Sequence, residues 1–373
     1  MKFYLMNKDT ALCLLYIDDF NVQILKQYDD MPFHILKNSE WIFNRSSPIG
    51  RINILKLLKL NGIDNSREKY LAVSYGVSLT DTLWFKGVSD KVTWRKVSPY
   101  TNRFSHIISE LALNGNYYGG SLKSPSPEYT VSGSTNKCWK RENGRIYLYK
   151  TDQERWSNAV GNRPYCEYYA SQVADQLISN KKHFVKYNIK VNKTSNGSNK
   201  AYVYSELFTS EKFGYLPICD STYRDMSFYE LDNILPTDSR EILREMLILD
   251  ALVLNCDRHK GNYGFLFNND TFKIQSLAPI FDQDCSFGFK TSLKQFDGNL
   301  EEAYKEVAAF GPRTQLGGYI AQAKKSLTSN YRSNLKNMYP FHFNRLKADI
   351  DLEDERIEFM EYIVNRNIRE ILA

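Results

Sequence analysis

Apolar and polar positions alternate in short runs at the start of the chain. MKFYLMNKDTALCLLYID holds two strand-like segments and FNVQILKQY a third, which together predict a small sheet. The period then lengthens. In SSPIGRINILKLLKLNGI, Ser47 precedes Pro48, Leu55, Leu57, Leu58 and Leu60 form an apolar face, and Gly62 ends the segment, so a capped helix is expected. GNYYGGSLKSPSPEYT, from Gly115 to Thr130, gathers glycine, serine and proline and is the best linker candidate.

Beyond it the pattern predicts strand, strand, helix, strand, strand. YTVSGSTNKCWKRENGRIYLYK breaks at Glu142-Asn143-Gly144, and Asn-Gly between strand-forming residues is a strong hairpin signal. CEYYASQVADQLI places Tyr169, Val173, Leu177 and Ile178 at helical spacing, and HFVKYNIKV and KAYVYSELF follow as strands around the polar loop NKTSNGSN. From Ser227 onward helices prevail: SFYELDNIL, then SREILREMLILDALVLN, with a second hairpin in GFLFN and FKIQSLAPIFD. From Leu300 to Ala373 several amphipathic helices are expected. The division these patterns suggest is an N-terminal α/β accessory domain over 1–115, a β-rich segment over 116–208 and a helical segment over 209–373.

Composition narrows the function classes. At 373 residues, with 26 Tyr and 21 Phe, the chain has ample material for buried cores. The net charge of +6 is mild, and its cations are interleaved with acids rather than gathered in a tail, so direct nucleic-acid binding is not expected. Six scattered cysteines (Cys13, Cys138, Cys166, Cys219, Cys256 and Cys285) show no metal-ligand spacing and predict reduced thiols. No apolar run approaches the ~20 residues of a membrane span, and MKFYLMNKDT lacks the features of a signal peptide. A cytoplasmic chain with no membrane partner is expected, with export by a signal-less route as the alternative.

The chemistry-bearing stretch runs from Leu247 to Phe289. NCDRHKGNYG lies between an apolar helix and a strand, with Asp257 followed five positions later by Asn262, and Asp282 after a hairpin-like interval. Two carboxylates and an amide offer hard oxygens suited to magnesium, and an aspartate can also take the proton of an attacking hydroxyl. Read alone, the same residues could be Asx turns. The segments Asn255 to Gly264 and Leu277-Ala278-Pro279-Ile280-Phe281-Asp282 together resemble the HipA-like (HipA/CtkA-type) serine/threonine kinases. That resemblance is specific in Leu247–Phe289, fair across Tyr129–Phe208 and thin elsewhere.

The resemblance implies an α+β, bilobal protein-kinase-like (HipA/PI-kinase-like) fold, with a β-rich small lobe, a helical large lobe and the extra N-terminal domain. It implies Asp257 as catalytic base, Asn262 and Asp282 as metal ligands, and ATP and Mg2+ as cosubstrate and metal. Lys150, ending a strand, corresponds to the lysine that pairs ATP phosphates, and Glu167 on the next helix to its ion-pair partner. Ser132, Gly133, Ser134 and Lys137 match the phosphate loop, Glu206 and Phe208 fall at the hinge that binds adenine, and His259 lies in the catalytic loop. In the family a serine of the phosphate loop is autophosphorylated; Ser134, or Ser132, is the candidate here.

The chain departs from the protein-kinase pattern in having Gln283 after Asp282, a further acid at Asp284, and Arg258 after rather than before the catalytic Asp. The resemblance further implies a protein substrate and an antitoxin or operon-encoded partner. A small-molecule or lipid kinase on the same fold, and a toxin component acting mainly through partner binding, stay open as alternatives, because the trio does not record which hydroxyl is offered.

Overall fold

The computed structural model describes residues 1–30, 41–42, 45, 52–60, 62, 66–121, 124–131, 133, 135–152, 162–193, 197–313 and 317–373. Of the sequence expectations, the cap at Ser47 and Pro48 and the phosphate-loop serines Ser132 and Ser134 lie outside these residues.

The chain opens with β1 (Lys2–Asn7), β2 (Thr10–Ile17), β3 (Val22–Gln27), α1 (Ile52–Leu60), α2 (Arg67–Ser74), β4 (Leu83–Gly87), α3 (Trp94–Val97) and α4 (His106–Asn114). It continues through β5 (Asn136–Glu142), β6 (Arg145–Thr151), α5 (Asn162–Leu177), β7 (Tyr187–Lys193), β8 (Asn199–Glu206), β9 (Phe213–Pro217), α6 (Phe228–Ile234) and α7 (Thr237–Val253). Then come β10 (Gly264–Asn268), β11 (Ile274–Leu277), α8 (Leu300–Ala309), α9 (Tyr319–Ser326), α10 (Ser329–Met338) and α11 (Asp354–Leu372). These elements pack as two compact units: Met1–Lys150 with Leu207–Arg224 and Phe265–Gln275, and Thr151–Glu206 with Asp225–Gly264 and Ser276–Ala373.

In the first unit β3, β2, β1 and β4 form an antiparallel sheet in that order. The strands bury Phe3, Leu5, Leu12, Leu15 and Phe85 in one cluster with Leu71 of α2, while Met6 and Trp84 make a second with Trp94 and Val97 of α3. The helix expected around residue 55 is α1, but its buried face is Ile54, Leu57 and Leu58; Leu55 and Leu60 are exposed. One turn of helix carries only about a third of its circumference into a core, so a run with more leucines than that must leave some in water.

The stretch expected as a linker ends in packed structure. Glu128 is fully buried and accepts from Ser109 Oγ at 2.9 Å and from the Trp139 amide at 3.1 Å, while Thr130 Oγ1 donates to Val77 O at 2.6 Å. Proline and glycine content signals irregular backbone, not absence of packing. The Asn143-Gly144 hairpin between β5 and β6 forms as expected, both residues having positive φ (50° and 78°), the backbone a two-residue turn of this kind requires. Segments 207–224 and 265–275 join this unit through backbone and side-chain bonds, among them Asn7 Nδ2 to Asn269 O at 2.7 Å and the Tyr215 amide to Thr80 O at 2.6 Å.

The second unit is built around α7, an apolar helix buried along most of its length. Helices α5, α9 and α11 pack against it. Asn367 Nδ2 on α11 donates to Ala251 O at 2.8 Å, and Gln322 Nε2 on α9 to Leu247 O at 3.2 Å. β7 and β8 pair antiparallel from Tyr187↔Ser205 to Lys193↔Asn199. A short parallel bridge, Phe184↔Ile280, ties the approach to β7 to the segment that carries Asp282. Among the described residues no helix is long and apolar enough to cross a membrane, and the six cysteines there form no disulfide.

Candidate active site

The loop after α7 begins with a forced change of direction. Leu254 closes the helix in the left-handed region (φ 52°), and the Asn255 amide reaches back to Asp250 O at 3.0 Å. Asn255 then turns inward: its Nδ2 donates to Asp250 Oδ1 at 3.0 Å and its Oδ1 accepts from the Asp257 amide at 3.2 Å. A tight turn follows, with the His259 amide on Asp257 O at 2.7 Å and the Asn262 amide on His259 O at 2.8 Å. His259 itself is exposed. Its Nδ1 accepts from the Gly261 amide at 3.0 Å, which places the neutral ring's proton on Nε2. A Cβ on Gly261 would come within 2.8 Å of that ring, so a larger residue there would make the exposed ring shift.

Arg258 organises the site from within. Its guanidinium is fully buried and holds Asp250 through two parallel bonds, Nε to Oδ2 and Nη2 to Oδ1, each 2.9 Å. Its remaining nitrogen, Nη1, donates to Asn262 O at 2.9 Å and to Phe281 O at 2.5 Å. Burial alone would lower its pKa, but the Asp250 carboxylate outweighs that and holds the guanidinium above its ordinary value. One side chain therefore fastens both ends of the catalytic-loop candidate and the residue before Asp282 to the same buried carboxylate. A bidentate pair with every nitrogen bonded is the arrangement in which a buried ion pair can be tolerated.

The three residues that the sequence singled out lie next to this clamp or on the segments it joins. Asn262 is buried, and its Nδ2 donates to Asp257 O at 3.0 Å, so the amide oxygen is what the side chain can offer to a cation. Asp282 adopts positive φ (64°), which aspartate tolerates better than most residues. Its amide donates to Tyr187 Oη at 3.1 Å. The Ile280 amide donates to His183 O at 2.7 Å, holding the strand just before it. Asp257 is a third exposed and forms an ion pair through Oδ1 with Arg313 Nη2, 2.9 Å away. Cys285 Sγ lies 3.9 Å from its other oxygen.

Flanking groups set the local charge. Arg163, at the start of α5, pairs with Asp284 at 3.5 Å and lies 4.6 Å over the Phe289 ring. Burial opposes its charge, but Asp284 keeps its pKa above the ordinary value. Cys285 is pushed far up, first by burial and then by Asp284, and Cys256 is raised by burial and by Asp257, so neither thiol is a nucleophile at neutral pH. Arg356 on α11 donates to Phe287 O at 2.9 Å and Gly288 O at 2.8 Å, anchoring the segment after Asp284.

The remaining expected residues occupy distinct places. Lys150 is buried at the end of β6 in the first unit, and Glu167 is fully buried on α5 in the second. Gly133 has φ 86°, and a Cβ there would sit 2.7 Å from Lys137 Nζ, so a buried ammonium lies directly against a bare stretch of backbone. Glu206 ends β8 exposed, and Phe208 packs edge-on against Tyr215 at 5.7 Å. Sequence reasoning missed Asp250, Tyr187 and Arg313 and left Arg258 without a role. The single local hint was Asp250, a lone acid in the apolar run LILDALVLN.

The donor set suits a hard cation. Among the described residues no three His, Cys, Asp or Glu side chains converge as a closed metal cage. Asn262 and Asp282 supply hard oxygens from two segments that Arg258 joins, and magnesium characteristically completes such a partial set with water and phosphate oxygens.

No protein-family model matches the chain, and no curated protein matches it. Among solved structures, it is similar to the proinflammatory kinase CtkA of Helicobacter pylori, at 17% identity and a TM-score of 0.46, over 65% of this chain and 92% of that one.

Proposed function

We propose that this protein is an ATP- and magnesium-dependent phosphotransferase that phosphorylates a serine or threonine hydroxyl of a protein. The observation that supports this most directly is the Arg258 clamp. It gathers a part-exposed carboxylate (Asp257), an amide oxygen donor (Asn262) and the segment bearing a second carboxylate (Asp282) around one buried Asp250. Phosphoryl transfer asks a protein mainly for such fixed positioning and charge neutralisation.

In this reading Asp257 accepts the acceptor's proton as its oxygen bonds to the γ-phosphorus and the bond to the β-phosphate breaks, releasing ADP. Asn262 and Asp282 would hold magnesium, which supplies positive charge to the phosphate oxygens. Lys150 and Glu167 are proposed as the phosphate-pairing lysine and its partner, Ser132, Gly133, Ser134 and Lys137 as the phosphate loop, Glu206 and Phe208 as adenine contacts, and His259 as a further ATP contact. Ser134 is the proposed autophosphorylation site.

The test is transfer of labelled γ-phosphate from ATP-magnesium to proteins of a native lysate, with Asp257→Ala as control. Asp257→Ala should lower transfer by about 10²–10⁴-fold, the usual contribution of a positioned acid–base group, with an unchanged melting temperature. Equal transfer by both proteins would sink the assignment. Label found on small molecules alone would move the reading to a small-molecule kinase.

A further inference from the structure

One oxygen of Asp257 is already engaged by a cation. A hydroxyl giving its proton to this carboxylate must come within ~2.6–3.2 Å of one of its oxygens. Oδ1 is held at 2.9 Å by Arg313 Nη2, and Oδ2 faces the Cys285 thiol at 3.9 Å. Cys285 is buried and its pKa is pushed up, so it stays a neutral, fixed neighbour. Arg313 is the opposite. It belongs to the segment between α8 and α9, and its side chain is 59% exposed.

An ion pair so open to water is worth ~0–1 kcal/mol, which makes it readily displaced. Arg258 cannot be the mobile partner, because its guanidinium is buried and all its bonds are to groups of the clamp. Positive charge also extends beyond Arg313. Lys290 is exposed over the Phe289 ring at 5.1 Å, and its charge and that of Arg313 are both felt at Cys256, next to the base.

Building on the phosphotransferase reading, we propose that Arg313 is the acceptor-selecting residue of this site. It covers Asp257 Oδ1 until an acceptor with an anionic neighbour arrives: a Ser or Thr flanked by an aspartate or glutamate. The hydroxyl then takes the place on Oδ1, and the flanking carboxylate takes over the guanidinium. A neutral acceptor must displace Arg313 without replacing its partner; a basic one must approach against Arg313 and Lys290. Arg313 thus acts through charge on the acceptor and leaves proton transfer to Asp257.

The test uses the full chain with ATP-magnesium and a panel of Ser/Thr peptides whose flanks are acidic, neutral or basic, comparing wild type, Arg313→Gln and Arg313→Glu. Wild type should favour acidic flanks by about tenfold in kcat/KM, the scale of one charge-assisted contact. Arg313→Gln should erase that preference and Arg313→Glu reverse it, with the KM for ATP unchanged in both. The same flank profile in wild type and Arg313→Glu would overturn the inference and leave the kinase reading standing. So would a several-fold rise in the KM for ATP without a change of profile, which would give the guanidinium to the nucleotide's phosphates. Absence of transfer by wild type to every peptide and every lysate protein would remove the kinase reading and this inference with it.

Discussion

The two sides of the catalytic-loop candidate each present an arginine to an aspartate, and the two pairs have little else in common. On the inner side, Arg258 and Asp250 are sealed from solvent, bonded in parallel, and extended by two carbonyl contacts. On the outer side, Arg313 reaches Asp257 through one contact across a surface open to water. A buried pair is expensive to desolvate and therefore useful only when fully satisfied; it then permits one geometry. An exposed pair costs little to form or break and so permits exchange. Rigidity behind the loop and exchange in front of it are what a site needs if it must hold its own groups still while admitting a substrate.

The largest effects are expected from removing the inner arginine. Arg258→Met leaves Asp250 charged and buried without its partner, so stability should fall by ~3–5 kcal/mol, read as a lowered denaturation midpoint. The double variant Asp250→Leu with Arg258→Met should recover much of that stability and still fail to transfer phosphate, because the loop and the Asp282 segment are no longer joined. Recovery of both stability and activity would show that the clamp does not position anything.

A second contrast lies in pH response. Behind the Asp282 segment, His183 Nδ1 meets Glu245 at 2.7 Å and Nε2 meets Asp238 at 3.2 Å and Asn180 at 2.7 Å; Tyr331 also faces Glu245. Burial opposes the imidazolium, but Glu245 and then Asp238 hold its pKa above the ordinary 6.5. A group whose native pKa is raised stabilises fully below its unfolded value and loses that contribution as pH climbs through the native one. Stability should therefore decline above pH ~6.5, and His183→Gln should flatten that slope in denaturation curves taken across neutral pH.

Smaller effects complete the series. Tyr187→Phe removes the oxygen that receives the Asp282 amide and should cost ~1 kcal/mol, with a larger proportional loss of transfer if Asp282 must keep its left-handed backbone. Arg313→Ala should move stability by under ~0.5 kcal/mol. A destabilisation comparable with that of Arg258→Met would erase the distinction between the two faces.

Local rules made a good part of this molecule legible. The alternation in β1 to β3, the Asn143-Gly144 turn, and the 3.6-residue period of α5 and α7 depend on neighbours a few positions apart, and these elements formed where the pattern put them. Expectations went astray where burial decides. Leu55 and Leu60 look like core residues by type, yet α1 turns them to water. The glycine- and proline-containing stretch before Thr130 looks like a linker, yet Glu128 is buried in a hydrogen-bonded niche.

The candidate site divides the same way. Residue type and spacing by themselves singled out Asp257, Asn262 and Asp282, because two carboxylates and an amide at that spacing are visible as letters between Leu247 and Phe289. Only the tertiary structure decided that Arg258 binds Asp250 while touching Phe281, that Tyr187 holds the Asp282 amide, and that Arg313 pairs with Asp257. All but the first of those pairings join segments far apart in the chain, and the strength of each depends on how much water it has lost, a quantity that no local periodicity records.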